Sequence, residues 1–422
     1  MADQAIVGPE ILEKQGCPQR TRRLALLLFL AYASLITIFQ GIQNILLPPV
    51  VQKLAPDAKI STLALLATLA SVTTVVALFA GGAISDRTRS RWGRRTPSLV
   101  LSWLASVTLL PLMGMAGSVT QLLVVMPILW FALNYYQSVL LAALPDRIPK
   151  HELGFASAAI GLGAPVGIFG GVNIGAFAPT IMLGYVFLAV PFTILTFCLI
   201  LLEPEPSSFG EPLPPRRSLV LRSMREQFSS LNDRNFALAL VSRFLMFLCY
   251  FSVNGYVFYV LQDYVGAAQL PAHSVNVGVS TVMSLMTLSW LAITPVIGFV
   301  ADRFRRTAFI VATVAFGAGV VTLLPAASND WTAMLLFGLG TGLMFGTYFV
   351  LDLKLATLVL PSPDTAGRDL GLLLAAGSAP GVFSFAVAAS LIAFSGYPVL
   401  FVFGAIVAVA GGLCAIFIRV RG

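Results

Sequence analysis

The sequence predicts an all-α membrane protein of twelve transmembrane helices arranged as two pseudo-symmetric six-helix bundles, and three observations carry that prediction. Of 422 residues, 58% are hydrophobic and 10% are charged, whereas a soluble domain carries roughly a quarter charged residues, so this chain cannot cover itself with a water-facing surface. Apolar stretches long enough to cross about 30 Å of hydrocarbon recur from Leu24 onward, separated by polar or Gly/Pro breaks. Landmarks in the first half of the chain return in the second half at a nearly constant offset.

The expected spans are 24–47, 61–83, 97–117, 121–143, 153–175, 181–202, 236–260, 277–301, 308–327, 333–354, 370–394 and 397–418. They divide the chain into a tail 1–23, a first bundle 24–202, a linker 203–235, a second bundle 236–418 and a C-terminal tail 419–422. With both termini placed in the cytosol, the inside segments hold 22 Lys/Arg, the outside loops hold Lys53 and Lys59, and the remaining two, Arg243 and Lys354, fall within spans. Basic residues mark the cytoplasmic side, so the chain is expected in the cytoplasmic (inner) membrane with both termini inside. Arg20-Thr21-Arg22-Arg23 before an apolar run imitates a secretory signal. Hydrophobicity continues unbroken to Leu47, which suits a first membrane helix instead.

The net charge of +8 could suggest a nucleic-acid partner. Its basic residues are parcelled into short loops at the depth of anionic headgroups, so the bilayer, and no nucleic acid, is the expected partner. Cys17, Cys198, Cys249 and Cys414 are scattered without C-x-x-C spacing, and His151 and His273 are the two histidines, so no metal or cofactor site is expected. Nor is there a Ser/His/Asp set or a Walker loop, so neither an enzyme nor a nucleotide-driven pump is expected.

The repeat is specific. Gly82-Ala83-Ile84-Ser85-Asp86-Arg87 ends the second span and Gly298-Phe299-Val300-Ala301-Asp302-Arg303 ends the eighth, an offset of 216 residues that Leu144-Pro145 and Leu360-Pro361 repeat. Gly154 and Gly371 open the fifth and eleventh spans at an offset of 217. Two parallel-related bundles are expected, with a small-molecule substrate bound between them. The joining segment opens Glu203-Pro204-Glu205-Pro206, which cannot be regular helix, and a short surface helix is expected over Leu219–Leu231.

Charges inside the spans are rare, and each one needs an explanation. Asp352 is the one carboxylate well inside a span, and Arg243 lies roughly 10 Å into the seventh at 1.5 Å per residue. The two fall at similar depth from the cytosolic side. A carboxylate beside an arginine can take a proton when substrate or conformation draws the arginine away. Asp352 is therefore the candidate proton-coupling residue and Arg243 its counter-ion or substrate anchor, the alternatives being a static salt bridge or an Asp352 lying at the membrane interface. Lys354 sits roughly 200° around the helix from Asp352 and is expected to snorkel toward the cytosolic surface.

Uncharged polar groups in lipid are costly unless partnered or wet. Gln40, Gln43 and Asn44 share one arc of the first span. Asn134, Tyr135, Tyr136 and Gln137 lie in the fourth, Tyr250, Asn254 and Tyr256 in the seventh, and Tyr348 in the tenth. From this set Gln40, Gln43, Asn44, Asn134, Tyr136, Gln137, Asn254, Tyr256 and Tyr348 are the expected substrate-facing residues, with helix–helix bonding as the alternative for each.

The stretch Gly82-Ala83-Ile84-Ser85-Asp86-Arg87-Thr88-Arg89-Ser90-Arg91-Trp92-Gly93-Arg94-Arg95-Thr96-Pro97 resembles the signature between spans two and three of the major facilitator superfamily. Its Ser-Asp-Arg start and Gly-Arg-Arg-x-Pro end are most similar to the glycoside–pentoside–hexuronide and sucrose carriers. The resemblance implies the major facilitator fold, alternating access and a monomer. It also implies that Asp86, Arg87, Gly93, Arg94, Arg95, Asp302 and Arg303 act in gating, with Asp86 facing the helix start near Gly371 and Asp302 the one near Gly154. A carboxylate at a helix N-terminus is favoured by roughly 0.3–2 kcal/mol. The second span holds no acidic residue, so the sodium site of the glycoside carriers is not expected.

The function expected from these readings is secondary active transport of a sugar-like solute or organic anion, coupled to protons. A proton-antiporting exporter of lipophilic compounds and a non-transporting membrane receptor are the alternatives.

Overall fold

The computed structural model describes residues 18–149, 151–210, 228–301, 306–360 and 366–419. Among them are twelve helices long and apolar enough to cross a membrane, and no strand. The first six are α1 (Arg20–Leu54), α2 (Pro56–Arg87), α3 (Thr96–Gly114), α4 (Val119–Arg147), α5 (Leu153–Ala176) and α6 (Ile181–Leu202). The second six are α7 (Arg234–Asn254), α8 (Val275–Val300), α9 (Thr307–Ala327), α10 (Trp331–Leu358), α11 (Ala366–Ser378, resuming over Pro380–Ser395) and α12 (Tyr397–Ile416). Twelve antiparallel passes bring both chain ends to one side, here termed the terminal face; the opposite side is the far face.

Within the first bundle α1 packs on α5 and α6, and α4 packs on α2 and α3; within the second, α8 packs on α10, and α12 packs on α7 and α9. Lipid is as apolar as the helices, so close approach at small residues, more than exclusion of water, holds such bundles together. Gly171 of α5 lies directly on the Thr37 carbonyl of α1, and Gly342 of α10 on the Met286 carbonyl of α8, with no room for a side chain at either. The large buried side chains are aromatic and aliphatic, among them Tyr136, Tyr185, Tyr348, Phe192, Phe236 and Phe401.

Three helices depart from regular geometry. Pro48 and Pro49 remove the donors that would pair with the carbonyls of Asn44 and Ile45, and α1 widens to a π-turn over Ile42–Leu46 before continuing to Leu54, past the expected end at 47. After α7 ends at Asn254, the chain turns and resumes over Val257–Tyr259 and a π-turn Val260–Gly266. α11 is interrupted between Ser378 and Pro380, because Pro380 brings no N–H to the ladder. Most of the surface helix expected over Leu219–Leu231 lies outside the described residues; the described part, Phe228–Asn232, is a 3₁₀ turn.

The two halves are stitched together in the outer part of the molecule. At the far face Lys59 pairs with Asp263 at 2.8 Å, and the Tyr259 hydroxyl donates to the Pro48 carbonyl at 3.0 Å. Tyr256 donates to the Phe385 carbonyl at 2.9 Å and lies 3.4 Å from the Ile60 carbonyl. Asn173 of α5 sits between Ser280 and Ser284 of α8, accepting at 3.0 Å and donating at 2.8 Å. Deeper, Ser71 of α2 donates to the Gly381 carbonyl of α11 at 3.0 Å. Toward the terminal face, Phe79 of α2, Phe155 of α5 and Phe299 of α8 stand exposed.

Candidate functional site

A buried ion pair lies in the second half, toward the terminal face. α7 starts where the Asp233 carboxylate accepts from the backbone N–H groups of Asn235 and Phe236, at 2.9 and 3.1 Å, a good N-cap. Ser242 donates to the Gly411 carbonyl at 2.8 Å and fixes the rotation of α7 against α12. That rotation leaves Arg243, 9% exposed, directed at α10, where its Nη1 meets Oδ2 of Asp352, 6% exposed, at 2.5 Å. Tyr348, one turn earlier on α10, donates to Oδ1 at 3.2 Å. The carboxylate therefore has a partner on each oxygen, whereas the Nε of Arg243 is buried without one. The guanidinium passes over Gly377 of α11, where a Cβ would stand 3.0 Å from Nε. A glycine just before the interruption of α11 gives the arginine its space.

Aromatic rings extend this pair into a wall. The Arg243 guanidinium carbon lies 5.4 Å from the centre of the Phe247 ring, a cation–π arrangement. Phe247 stands edge-on to Phe349 at 5.2 Å, and Phe349 stacks on Trp290 at 4.7 Å with 3° between the planes. Thus α7, α10 and α8 each contribute one ring. Lys354 turns away from the pair, and its Nζ donates to the Ala301 carbonyl at 2.5 Å.

The other sequence-predicted polar residues fall in several places. Asn44 donates to the side chain of Gln40 at 2.7 Å, so two of the first-helix amides satisfy each other, while Gln43 is half-buried nearby. Asn134 bonds back to the Trp130 carbonyl at 2.8 Å. Tyr136 is fully buried inside the first half, its hydroxyl 2.8 Å from Thr196 and its ring edge-on to Phe192, and Gln137 is half-buried one position on. Asn254 donates to the Tyr250 carbonyl at 2.9 Å and leaves its Oδ1 buried without a partner. Tyr256 belongs to the seam between the halves described above. Of the expected set, the fold brings Tyr348 to the Arg243–Asp352 pair and sends Tyr136 and Tyr256 elsewhere.

At the terminal face the loop between α2 and α3 is tied down by charge. Arg95, 5% exposed, meets Asp86 at 2.6 Å and Asp146 of α4 at 2.8 Å, and donates to Ser85 at 2.5 Å; Arg94 meets Asp146 at 2.6 Å. Arg87 is exposed. Asp302 and Arg303 lie outside the described residues. The linker supplies contacts that sequence reading did not anticipate. Glu205 accepts from the backbone N–H groups of Arg95 and Thr96, at 2.8 and 2.9 Å, and so caps α3. It fits because Gly93, at φ +90°, has no side chain to collide with it. Glu203, 2% exposed, lies among Arg20, Arg23 and Arg147, and Arg147 also donates to its carbonyl at 2.8 Å. Two glutamates each followed by a proline, directly after the sixth span, were the available signal.

A family model described as Major Facilitator Superfamily matches residues 25–272 and 255–422. Among solved structures, a POT family transporter in complex with a thioalcohol-conjugated peptide superposes with a TM-score of 0.70 at 12% identity, over 93% of this chain and 95% of that one. A point mutant of the nucleoside transporter NupG superposes with a TM-score of 0.71 at 12% identity, over 94% of this chain and 99% of that one. At such identity the likeness concerns the fold. No curated protein matches the sequence.

Proposed function

The chain belongs to the major facilitator superfamily and is a secondary transporter, and from that premise we propose that it carries a small organic solute across the cytoplasmic membrane by alternating access, coupled to protons through Asp352. The observation that carries the proposal is the buried Arg243–Asp352 pair. Ionisable groups inside a membrane bundle are expensive to keep there, which makes such a pair a functional-site hypothesis by default. Its carboxylate is held by one arginine and one phenol. Anything that draws Arg243 away leaves a buried carboxylate whose cheapest response is to take a proton.

In this reading the terminal face is cytosolic, since basic residues concentrate there. The far-face seam formed by Lys59, Asp263, Tyr256, Tyr259 and Asn173 is the closed outer gate, and the exposed Phe79, Phe155 and Phe299 belong to the open inner side. Asp86, with Arg94, Arg95 and Gly93 around it, is the inner gate element in its disengaged state, paired within its own half. The Ser-Asp-Arg and Gly-Arg-Arg signature keeps the glycoside-carrier branch as the nearest family reading, with a sugar or an organic anion as cargo. Transport as a monomer follows from the same reading.

The test uses purified protein in liposomes with a pH-sensitive dye inside. Solute-driven proton movement in the wild type, absent in Asp352→Asn while solute exchange persists, is the expected result. Proton movement unchanged in that variant removes Asp352 from the coupling step. Proton flux opposite to solute flux would favour the exporter reading.

A further inference from the structure

We propose that the solute is a flat, largely apolar organic monoanion, in its simplest form an aromatic carboxylate or sulfonate, with its acid group on Arg243 and its ring laid along Phe247, Phe349 and Trp290. The inference rests on the transporter reading above and chooses between the two solute classes that reading leaves open.

The first argument is a count of polar partners. A sugar carries a hydroxyl on nearly every ring carbon, and each one left without a partner away from water costs about 1–3 kcal/mol. Beside the pair the hydroxyls of Ser242 and Tyr348 are already engaged, on the Gly411 carbonyl and on Asp352. In the opposite half the Nδ2 groups of Asn44 and Asn134 are taken up by Gln40 and by the Trp130 carbonyl. A polyol would meet rings where it needs donors and acceptors. A flat apolar ring would meet Phe247, Phe349 and Trp290, where an aromatic contact adds about 0.5–1.5 kcal/mol beyond burial.

The second argument is charge. Arg243 is nine-tenths buried with Nε unpartnered beside Gly377. Its guanidinium has donors to spare, and a planar acid group is the partner that matches such a fork. The groups bearing on Asp352 are Arg243 from α7 and Tyr348 from α10, while Lys354 of α10 is turned to the Ala301 carbonyl. With both ionised, the pair is neutral. An arriving anion makes the trio negative unless Asp352 takes one proton, after which Arg243 and the solute form the neutral pair. One anion then travels with one proton and no net charge is buried, which a low-dielectric site favours strongly. A neutral sugar imposes no such requirement.

The test measures binding to the full-length protein in lipid nanodiscs by thermal shift and tryptophan fluorescence, with benzoate, benzenesulfonate, acetate, benzyl alcohol and methyl glucoside as probes. Benzoate and benzenesulfonate should bind, whereas acetate, benzyl alcohol and methyl glucoside should bind at least about tenfold more weakly, each lacking the aromatic ring, the charge or both. Because Arg243→Gln alone strands a buried carboxylate, the paired variant Arg243→Gln/Asp352→Asn keeps the fold testable; it should lose benzenesulfonate binding about tenfold or more. Trp290→Leu should weaken benzoate roughly 2- to 12-fold, the equivalent of one aromatic contact. Benzoate binding no tighter than acetate, or unchanged in the paired variant, overturns the inference. Preferential binding of methyl glucoside also overturns it while leaving the transporter reading intact. Failure of the Asp352→Asn flux test strikes the coupling reading without altering these affinities.

Discussion

Lys59 and Asp263 meet across the two halves of the molecule, 204 positions apart in the chain, with the ammonium 2.8 Å from the carboxylate and 5.1 Å from the centre of the Tyr259 ring. Tyr397 donates to the same carboxylate, its hydroxyl 2.6 Å from Oδ2 of Asp263. A partly exposed pair is typically worth about 0.2–1 kcal/mol, so it can bias a balanced equilibrium without locking it. Lys59→Ala and Asp263→Asn should each raise the far-face-open population by up to about fivefold, and the charge-swapped double variant should restore it. Spin-label distances across the far face check this, and unchanged distances in all three variants would remove the pair from the gate.

Breaking one side of the Arg243–Asp352 pair should cost far more than replacing both. Arg243→Ala leaves Asp352 buried beside Tyr348 alone and should destabilise by about 3–5 kcal/mol, whereas Arg243→Met with Asp352→Leu should recover most of that loss. Thermal unfolding in detergent reads the difference. The recovered double variant should still fail to move protons with solute, because the carboxylate assigned to coupling is gone.

Glu205 ties the linker to the loop between α2 and α3. Glu205→Ala removes the cap of α3 at Arg95 and Thr96 and should cost about 1 kcal/mol. Gly93→Val should do more harm, since a side chain at φ +90° is strained by about 1–3 kcal/mol and would collide with the Glu205 carboxylate. Combining Gly93→Val with Glu205→Ala should then cost less than the sum of the two, a coupling that a double-mutant cycle measures.

Asp330 supplies a pH signature at the far face. Its carboxylate accepts from the Ala333 N–H at 2.6 Å and from the Ser328 hydroxyl at 2.8 Å, and these bonds, the backbone one first, hold its pKa below the ordinary value. The stabilisation is therefore complete above the unfolded carboxylate pKa of about 3.9 and is lost as pH falls through the lower folded value. Asp330→Asn should remove that increment, so the stability gap between wild type and variant should be constant at neutral pH and narrow below about pH 4. A gap that widens on acidification would contradict the assigned sign.

Helix number and order were legible because crossing hydrocarbon demands long apolar runs, a constraint local to each segment. Arg243 and Asp352 stood out for the same reason, as charges where charges are costly. Tyr136 and Tyr256 drew attention by the same logic, yet their hydroxyls are taken up by Thr196 and by the Phe385 carbonyl. Composition says that a buried phenol must find a partner, and the packing chooses which one. Lys59 and Asp263 gave no warning, since they lie in segments where charge is cheap and unremarked.

By itself the sequence determined the membrane class, the duplicated halves and the presence of two opposite charges at similar depth inside the spans, all of which follow from hydrophobic length, internal repetition and the cost of charge in lipid. The tertiary structure alone decided which face is sealed, which rings surround Arg243 and which carboxylate caps which helix. Those depend on the rotation of each helix about its axis, and that rotation is set by close contacts such as Gly171 on Thr37 and Ser242 on Gly411, between residues far apart in the chain.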